Sequence, residues 1–443
     1  MRRAALGRRG ALVLSAGALS GCGLFDNWFG ETKPPLPGKR EPVLASSHSL
    51  DIGAGGRSPL VLPPPELNAA WPQPGGNTAH VMGNLAGTSR GVTLWQSDFG
   101  TGGGYRRKLT AQPLVADGRV YTMDSDAGLA AFALHDGRRL WRIDTKGEDD
   151  RSTNVGGGIT SHAGRLYAAT GRGDLLAVDG ASGKIVWRAT LAAPARSAPS
   201  WADGMLFLVT LDDQVLALSD KDGSRAWSYQ AGTVETSVLG RPAPAVAGGL
   251  VVAGFGTGEL ACLRAATGAV VWTDSLGSAT GRTSVANLSA IRGMPLIAGE
   301  RVFAIGLGGL MLSLDLRAGR RLWLREIAGS DTPWLSGDGL FVLTADQQLV
   351  ALTPDTGDVR WVSQLPRYRN PEKQSDPVLW TGPVLIGGRL VLAGDHARLL
   401  SVDAVSGKPA APQELGGPVS VAPIVAQGSV LLLTDDGTVL ALR

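Results

Sequence analysis

Few residues of this chain are placed to do chemistry. Its 443 residues include two cysteines and five histidines. His48, His80, His135, His162 and His396 share no metal-ligand spacing, so they read as surface or loop residues. Asp124, Asp126, Asp435 and Asp436 stand in short polar, glycine-containing breaks between apolar runs. That is turn chemistry before it is catalysis. Gly254-Phe255-Gly256-Thr257-Gly258 has the glycine content of a phosphate loop. The run Leu260–Leu263 that follows it is β-type, where a nucleotide site needs a helix, so the segment reads as a hairpin turn. Cys262 lies in that run and reads as a buried, inert thiol. The sequence therefore predicts no catalytic residue, no metal site and no cofactor.

The other cysteine carries a chemical signature. Arg2, Arg3, Arg8 and Arg9 precede an apolar run from Ala11 to Leu19, and Leu19-Ser20-Gly21-Cys22 follows. Positive, then apolar, then small residues is the order of an export signal. Leu-Ser-Gly-Cys resembles a bacterial lipobox, which implies cleavage before Cys22 and acylation of its thiol and new amine. An ordinary signal that ends near a cysteine, and a twin-arginine signal through Arg8-Arg9, are the alternatives. With those four arginines set aside, 38 basic residues face 39 acidic ones, so nothing points to nucleic acid. No run is long and apolar enough to read as a transmembrane helix.

The elements that would carry any site repeat along the chain. Gly137/Trp141, Gly183/Trp187, Gly223/Trp227, Gly268/Trp272, Gly319/Trp323 and Gly357/Trp361 share one spacing. Successive Trp residues lie 46, 40, 45, 51 and 38 apart. A β-type repeat of this length predicts a β-propeller with one four-stranded blade per repeat. Trp is large enough to fill the wedge between diverging blades. The seventh unit has Ala411 where Trp is expected, and the eighth stops after three strands at Arg443. Gly91 and Trp95 supply the missing last strand. The expectation is an all-β, eight-bladed propeller whose last blade is closed by the N-terminal strand, which leaves fewer sheet edges unpaired. The expected organisation is a signal peptide over 1–21, a Pro-rich tether with the lipidated cysteine over 22–70, and the propeller over 71–443. Lys33–Gly38 and Leu62–Pro65 supply the polyproline-like character of the tether.

On these residues the chain resembles BamB, the lipoprotein family of the outer-membrane β-barrel assembly machinery. The lipobox, the Trp repeats and segments such as Ala318–Trp323 and Asp435–Val439 carry the resemblance. The stretch Lys33–Leu44 resembles alphaproteobacterial members. The resemblance implies a non-catalytic scaffold on the periplasmic side of the outer membrane. It would bind BamA through its POTRA domains and aid folding and insertion of outer-membrane proteins. Gly23 after Cys22 is compatible with sorting to the outer membrane. Two contact regions are implied. In Thr236–Pro244, Leu239 matches and Arg241 supplies a displaced cation. In Leu288–Arg292 the family's acids are absent and Arg292 reverses the sign. A face with apolar Leu239, Leu288 and Ile291 between Arg241 and Arg292 would suit docking to a sheet edge. The competing expectation is that Leu239 and Ile291 cap blade interiors. Quinoprotein dehydrogenases, which use pyrroloquinoline quinone and calcium, are similar in blade number and Trp repeats. Their adjacent Cys-Cys pair is absent here. A generic propeller binding module is the third reading.

Overall fold

The computed structural model describes residues 50–52, 58–104, 107–146, 156–195, 197–232, 240–277 and 290–443. Among them there is no helix. Eight antiparallel four-stranded sheets follow one another in chain order as blades 1 to 8. Strands are lettered A to D from the channel outward. In blade 1 they are Leu114–Ala116, Arg119–Met123, Leu129–Ala133 and Arg139–Ile143. Blade 8 consists of Ile424–Ala426, Ser429–Leu433, Thr438–Leu442 and, as its outer strand, Thr93–Asp98. Trp95 lies opposite Ala441, so the N-terminal strand closes the ring as expected.

Burial explains why each strand has its composition. Strands B and C are covered on both faces by neighbouring blades and have mostly apolar, buried centres, as in Leu129–Ala133, with polar residues chiefly at their ends. Strand D is the outer edge and alternates, as in Ile185–Thr190. In blades 1 to 6 the pairing of C with D slips by one residue just before the Trp. Such a bulge bends the strand and re-aims the side chain that follows.

The re-aimed Trp is the lock between blades. Each indole N–H donates to a carbonyl in the next blade: Trp141 to Gly180 at 3.0 Å, Trp227 to Ala265 at 2.8 Å, Trp272 to Leu316 at 2.8 Å. Each ring lies over the glycine of the next repeat. A Cβ on Gly319 would stand 2.5 Å from Trp272 Cγ, and its φ of +67° is left-handed. The glycine of each repeat therefore serves the Trp of the repeat before it. Trp95 does the same across the closure, donating to the Leu134 carbonyl at 3.0 Å. From the same blade, Tyr121, Tyr167, Phe207, Phe303 and Phe341 tilt against Trp141, Trp187, Trp227, Trp323 and Trp361. Ala411 leaves the seam from blade 7 to blade 8 without a Trp. There the Gln413 amide donates to the Gly91 carbonyl at 2.7 Å.

The compact unit begins at Leu50 rather than at residue 71. Ile52 bridges Val359 on the outer strand of blade 6, and Arg360 Nη1 donates to the Ser58 carbonyl at 2.7 Å. Polyproline character there does not mean a free tether. Leu60 is buried against the propeller and Val61 accepts from the Asp338 N–H at 3.2 Å, while Pro63, Pro64 and Pro65 are exposed.

Candidate partner face

Antiparallel order puts the A–B and C–D turns on one face of the ring and the B–C turns and blade-to-blade connections on the other. We call these the turn face and the loop face. The turn face is uniform. Every A–B connection is two residues long, from Asp117-Gly118 to Gln427-Gly428. Asp117, Ala163, Asp203 and Gln427 all have positive φ, as do the glycines that follow them. Left-handed residue pairs match the twist of the flanking strands.

The loop face is irregular. Its connections run over 99–113, 144–157, 191–199, 231–244, 276–295, 326–333, 365–379 and 415–423. The connection from blade 6 to blade 7 holds a small hairpin, Tyr368–Asn370 paired with Ser375–Pro377. It is fastened by Trp380 Nε1 to the Pro366 carbonyl at 2.9 Å and by Arg369 to the Asp395 carbonyl at 3.0 Å. Residues 147–155 and 278–289 of the loop-face connections lie outside the described residues.

The residues expected at a partner contact separate into three groups. Leu239 and Leu288 lie outside the described residues. Arg241 is not at an exposed rim. Its side chain is 1% exposed, and Nε donates to Asp213 Oδ1 at 2.8 Å while Nη2 donates to the Leu211 carbonyl at 3.1 Å. Asp213 Oδ1 also accepts from the Gly256 N–H at 3.0 Å. One buried ion pair thus staples connection 231–244 to the B–C turns of blades 3 and 4. Gly256 is required beside it, because a Cβ there would meet the guanidinium.

Ile291 is likewise buried. It bridges Gly306, donates its N–H to the Phe255 carbonyl at 3.0 Å and presses on Gly254, where a Cβ would stand 2.5 Å from its Cγ2. It wedges the B–C turns of blades 4 and 5 together. Of the expected face, Arg241 and Ile291 are therefore buried rather than exposed, while Leu239 and Leu288 lie outside the described residues. Arg241 and Ile291 cap the interior, because the last residues of each connection must fill the gap between diverging turns. Arg292, next in sequence, is exposed and lines the channel mouth.

That mouth is a cavity of about 210 Å3. Trp71, Gln112, Arg292, Asp331 and Trp334 are among its lining residues, and the rings of Trp71 and Trp334 stack at 6.3 Å. Burial raises the Asp331 carboxyl above its usual range against hydrogen bonds from Thr381 Oγ1 at 2.9 Å and Gly382 N at 3.2 Å.

The chemistry-capable residues are otherwise engaged structurally. Asp124 Oδ1 accepts from the N–H groups of Asp126 and Gly128 in its own turn, and burial raises its pKa. Burial pushes the Cys262 thiol up to about 12. His80 is an exception to the surface reading: it is 4% exposed, and its Nδ1 bonds the Pro295 carbonyl at 2.7 Å. Among the described residues no group of His, Cys, Asp and Glu is placed to hold a metal ion.

Similarity to known proteins fits this arrangement. A family model described as outer membrane protein assembly factor BamB matches residues 83–154, 148–363 and 369–443. The chain belongs to the BamB family.

BamB from Yersinia pestis is 26% identical over 356 residues, covering 79% of this chain and 88% of that protein. BamB from Escherichia coli strain K12 is 27% identical over 354 residues with the same coverage. The crystal structure of BamB from Moraxella catarrhalis aligns at a TM-score of 0.67 and 18% identity, covering 80% of this chain and 99% of that one. A quinohemoprotein alcohol dehydrogenase from Comamonas testosteroni aligns at 0.65 and 14% identity, covering 84% and 80%. These two likenesses show a shared propeller fold. The relatives found by sequence are named assembly factors, not enzymes.

Proposed function

We propose that this outer membrane protein assembly factor is a lipid-anchored periplasmic scaffold that docks on the POTRA domains of BamA through its loop face. Family membership supports assembly-factor function. The observation that carries the docking face is the segregation of the two faces. Connections of unequal length, and the exposed Arg292 at the channel mouth, lie on one side. The approach of the N-terminal segment lies on the other, where Val61 meets the Asp338 N–H in an A–B turn. Loop residues on a rigid scaffold can diverge without cost to the fold, which suits contact with a partner.

The anchor is tested by fractionation. Wild-type protein is expected in the outer membrane, and Cys22→Ala as uncleaved precursor or soluble periplasmic protein. One acyl chain holds weakly and several hold firmly, at about 0.8 kcal/mol per buried methylene. A processed, membrane-bound Cys22→Ala protein would contradict the anchor.

A further inference from the structure

The stretch from Glu66 to Ala86 carries no Gly-x3-Trp repeat, and it runs around the inside of the channel. It touches the innermost strand of every blade, or the turn that strand leads into. Asn68 meets blade 8, its Nδ2 donating to the Val425 carbonyl at 2.8 Å and its carbonyl accepting from Gln427 N at 2.7 Å. Trp71 exchanges backbone hydrogen bonds with Val115 of blade 1 at 2.7 and 3.0 Å. The Pro72 carbonyl accepts from Ser161 N of blade 2 at 2.7 Å. The Gln73 amide bonds both backbone groups of Trp201 in blade 3. Thr78 accepts from Val246 of blade 4, and Ala79 from Ile297 of blade 5. The Gly83 carbonyl takes the Trp334 indole of blade 6 at 2.8 Å. Leu85 pairs with Leu385 and Gly387 of blade 7.

Read along the chain, the blades come in the order 8, 1, 2, 3, 4, 5, 6, 7. The segment makes one full circuit of the channel axis. Its ends then pair with each other: Glu66 N donates to the Asn84 carbonyl at 2.9 Å, and Ala86 N to the Glu66 carbonyl at 2.7 Å. Both ends emerge on the turn face, at the A–B turns of blades 7 and 8. The middle, at Gly75 and His80, reaches the floor of the loop-face cavity.

The inner strand of a blade is a sheet edge, with backbone groups that need partners. Strand-like addition of an extended peptide satisfies such edges, with main-chain bonds for affinity and side chains for register. Here eight short edges converge on one axis. The amides of Asn68, Gln73 and Asn84 and the ring of His80 supply what the backbone cannot reach.

We propose that the channel is a peptide-binding site whose ligand is this chain's own residues 66–86, held by the eight inner strands independently of the covalent link to Thr93–Asp98. The N-terminal segment, after meeting the outer strand of blade 6 at Ile52 and Ser58, then ends on the propeller axis. This does not rest on the identity of the partner, since a propeller that fails to bind BamA still keeps or releases the segment.

The test uses full-length, detergent-solubilised protein with a protease recognition sequence inserted after Thr88, which is exposed on the turn face. Cleavage leaves the closing strand attached to the ring. The N-terminal fragment is expected to co-elute with the propeller in a one-to-one ratio on size exclusion, and to separate only at the denaturant concentration that unfolds the blades. In a second variant, Gly76→Val, the new side chain would run into Met82 at a backbone φ of +87°. After cleavage this variant is expected to release the fragment under native conditions. Release from the wild-type ring, or collapse of that ring on cleavage, would overturn the proposal. Retention in both proteins would also overturn it, by showing that residues 50–63 along blade 6 hold the fragment instead.

Discussion

The two faces of the ring are made from the same strands, and they differ in what the repeat demands of them. On the turn face the C–D glycine of blades 1 to 7 receives the Trp of the preceding blade, and each A–B turn uses at least one left-handed residue. Little can vary there, because spacing between blades is set by those contacts. On the loop face the connections differ in length and content, and each is fastened by its own pairs: Arg241 with Asp213, Ile291 with Phe255 and Gly306. Blade geometry is already fixed from the other side, so this face can change with a partner. A repeat protein can thus separate the residues that hold it together from the residues that make it useful.

The largest effect is expected on the turn face. Trp272 is 8% exposed, and it fills one inter-blade wedge while bonding the Leu316 carbonyl. Trp272→Ala should cost about 3–5 kcal/mol in denaturant unfolding, the range for deleting a buried aromatic side chain. Gly319→Ala should lose stability by the same route, through the clash with that ring and the left-handed φ. Unfolding curves unchanged by both would mean that the seams do not depend on the Trp locks.

Arg241 sharpens the comparison, because it belongs to the loop face and yet is structural. Arg241→Ala leaves the Asp213 carboxylate buried without its guanidinium, which should cost about 3–5 kcal/mol. A double change of Arg241 and Asp213 to apolar residues should recover much of that loss. Lost partner binding with unchanged stability in Arg241→Ala would return this residue to the interface.

The smallest of the three is a pH effect on the channel segment. Burial lowers the pKa of His80 from 6.5 to about 4. Below pH 6.5 the unfolded chain takes up a proton that the folded one refuses until about pH 4, so the histidine's contribution makes stability fall as pH drops through that window. The full loss is about 3 kcal/mol. Raised carboxyls such as Asp124, Asp331 and Asp435 act in the opposite direction, so the difference from a His80→Gln variant isolates the histidine. Wild type and variant should diverge in unfolding free energy between pH 6.5 and 4. Parallel curves would show that the histidine titrates freely in the folded protein.

Much of the fold was legible because it repeats. Gly-x3-Trp marks both partners of each inter-blade contact, and the orphan Gly91/Trp95 marked the closing strand. The turn role of Asp124 and the burial of Cys262 followed from their immediate neighbours. The channel segment was not legible, since residues 66–86 bind eight different strands and therefore carry no period. The only hint was a concentration of Asn, Gln, His and Trp in a stretch otherwise read as tether and propeller entry. Arg241 and Ile291 were misplaced for a related reason. Their burial depends on Asp213, Gly256, Phe255 and Gly306, which lie in other turns of the chain and meet them only in the folded ring.

The division between faces is tested most directly by placing a photo-crosslinking amino acid, in cells, at one exposed position on each. Arg292 represents the loop face, and Val405, half exposed in the C–D turn of blade 7, represents the turn face. The account predicts a crosslink to BamA from position 292 and none from position 405. A crosslink to BamA from 405 and not from 292 would contradict it.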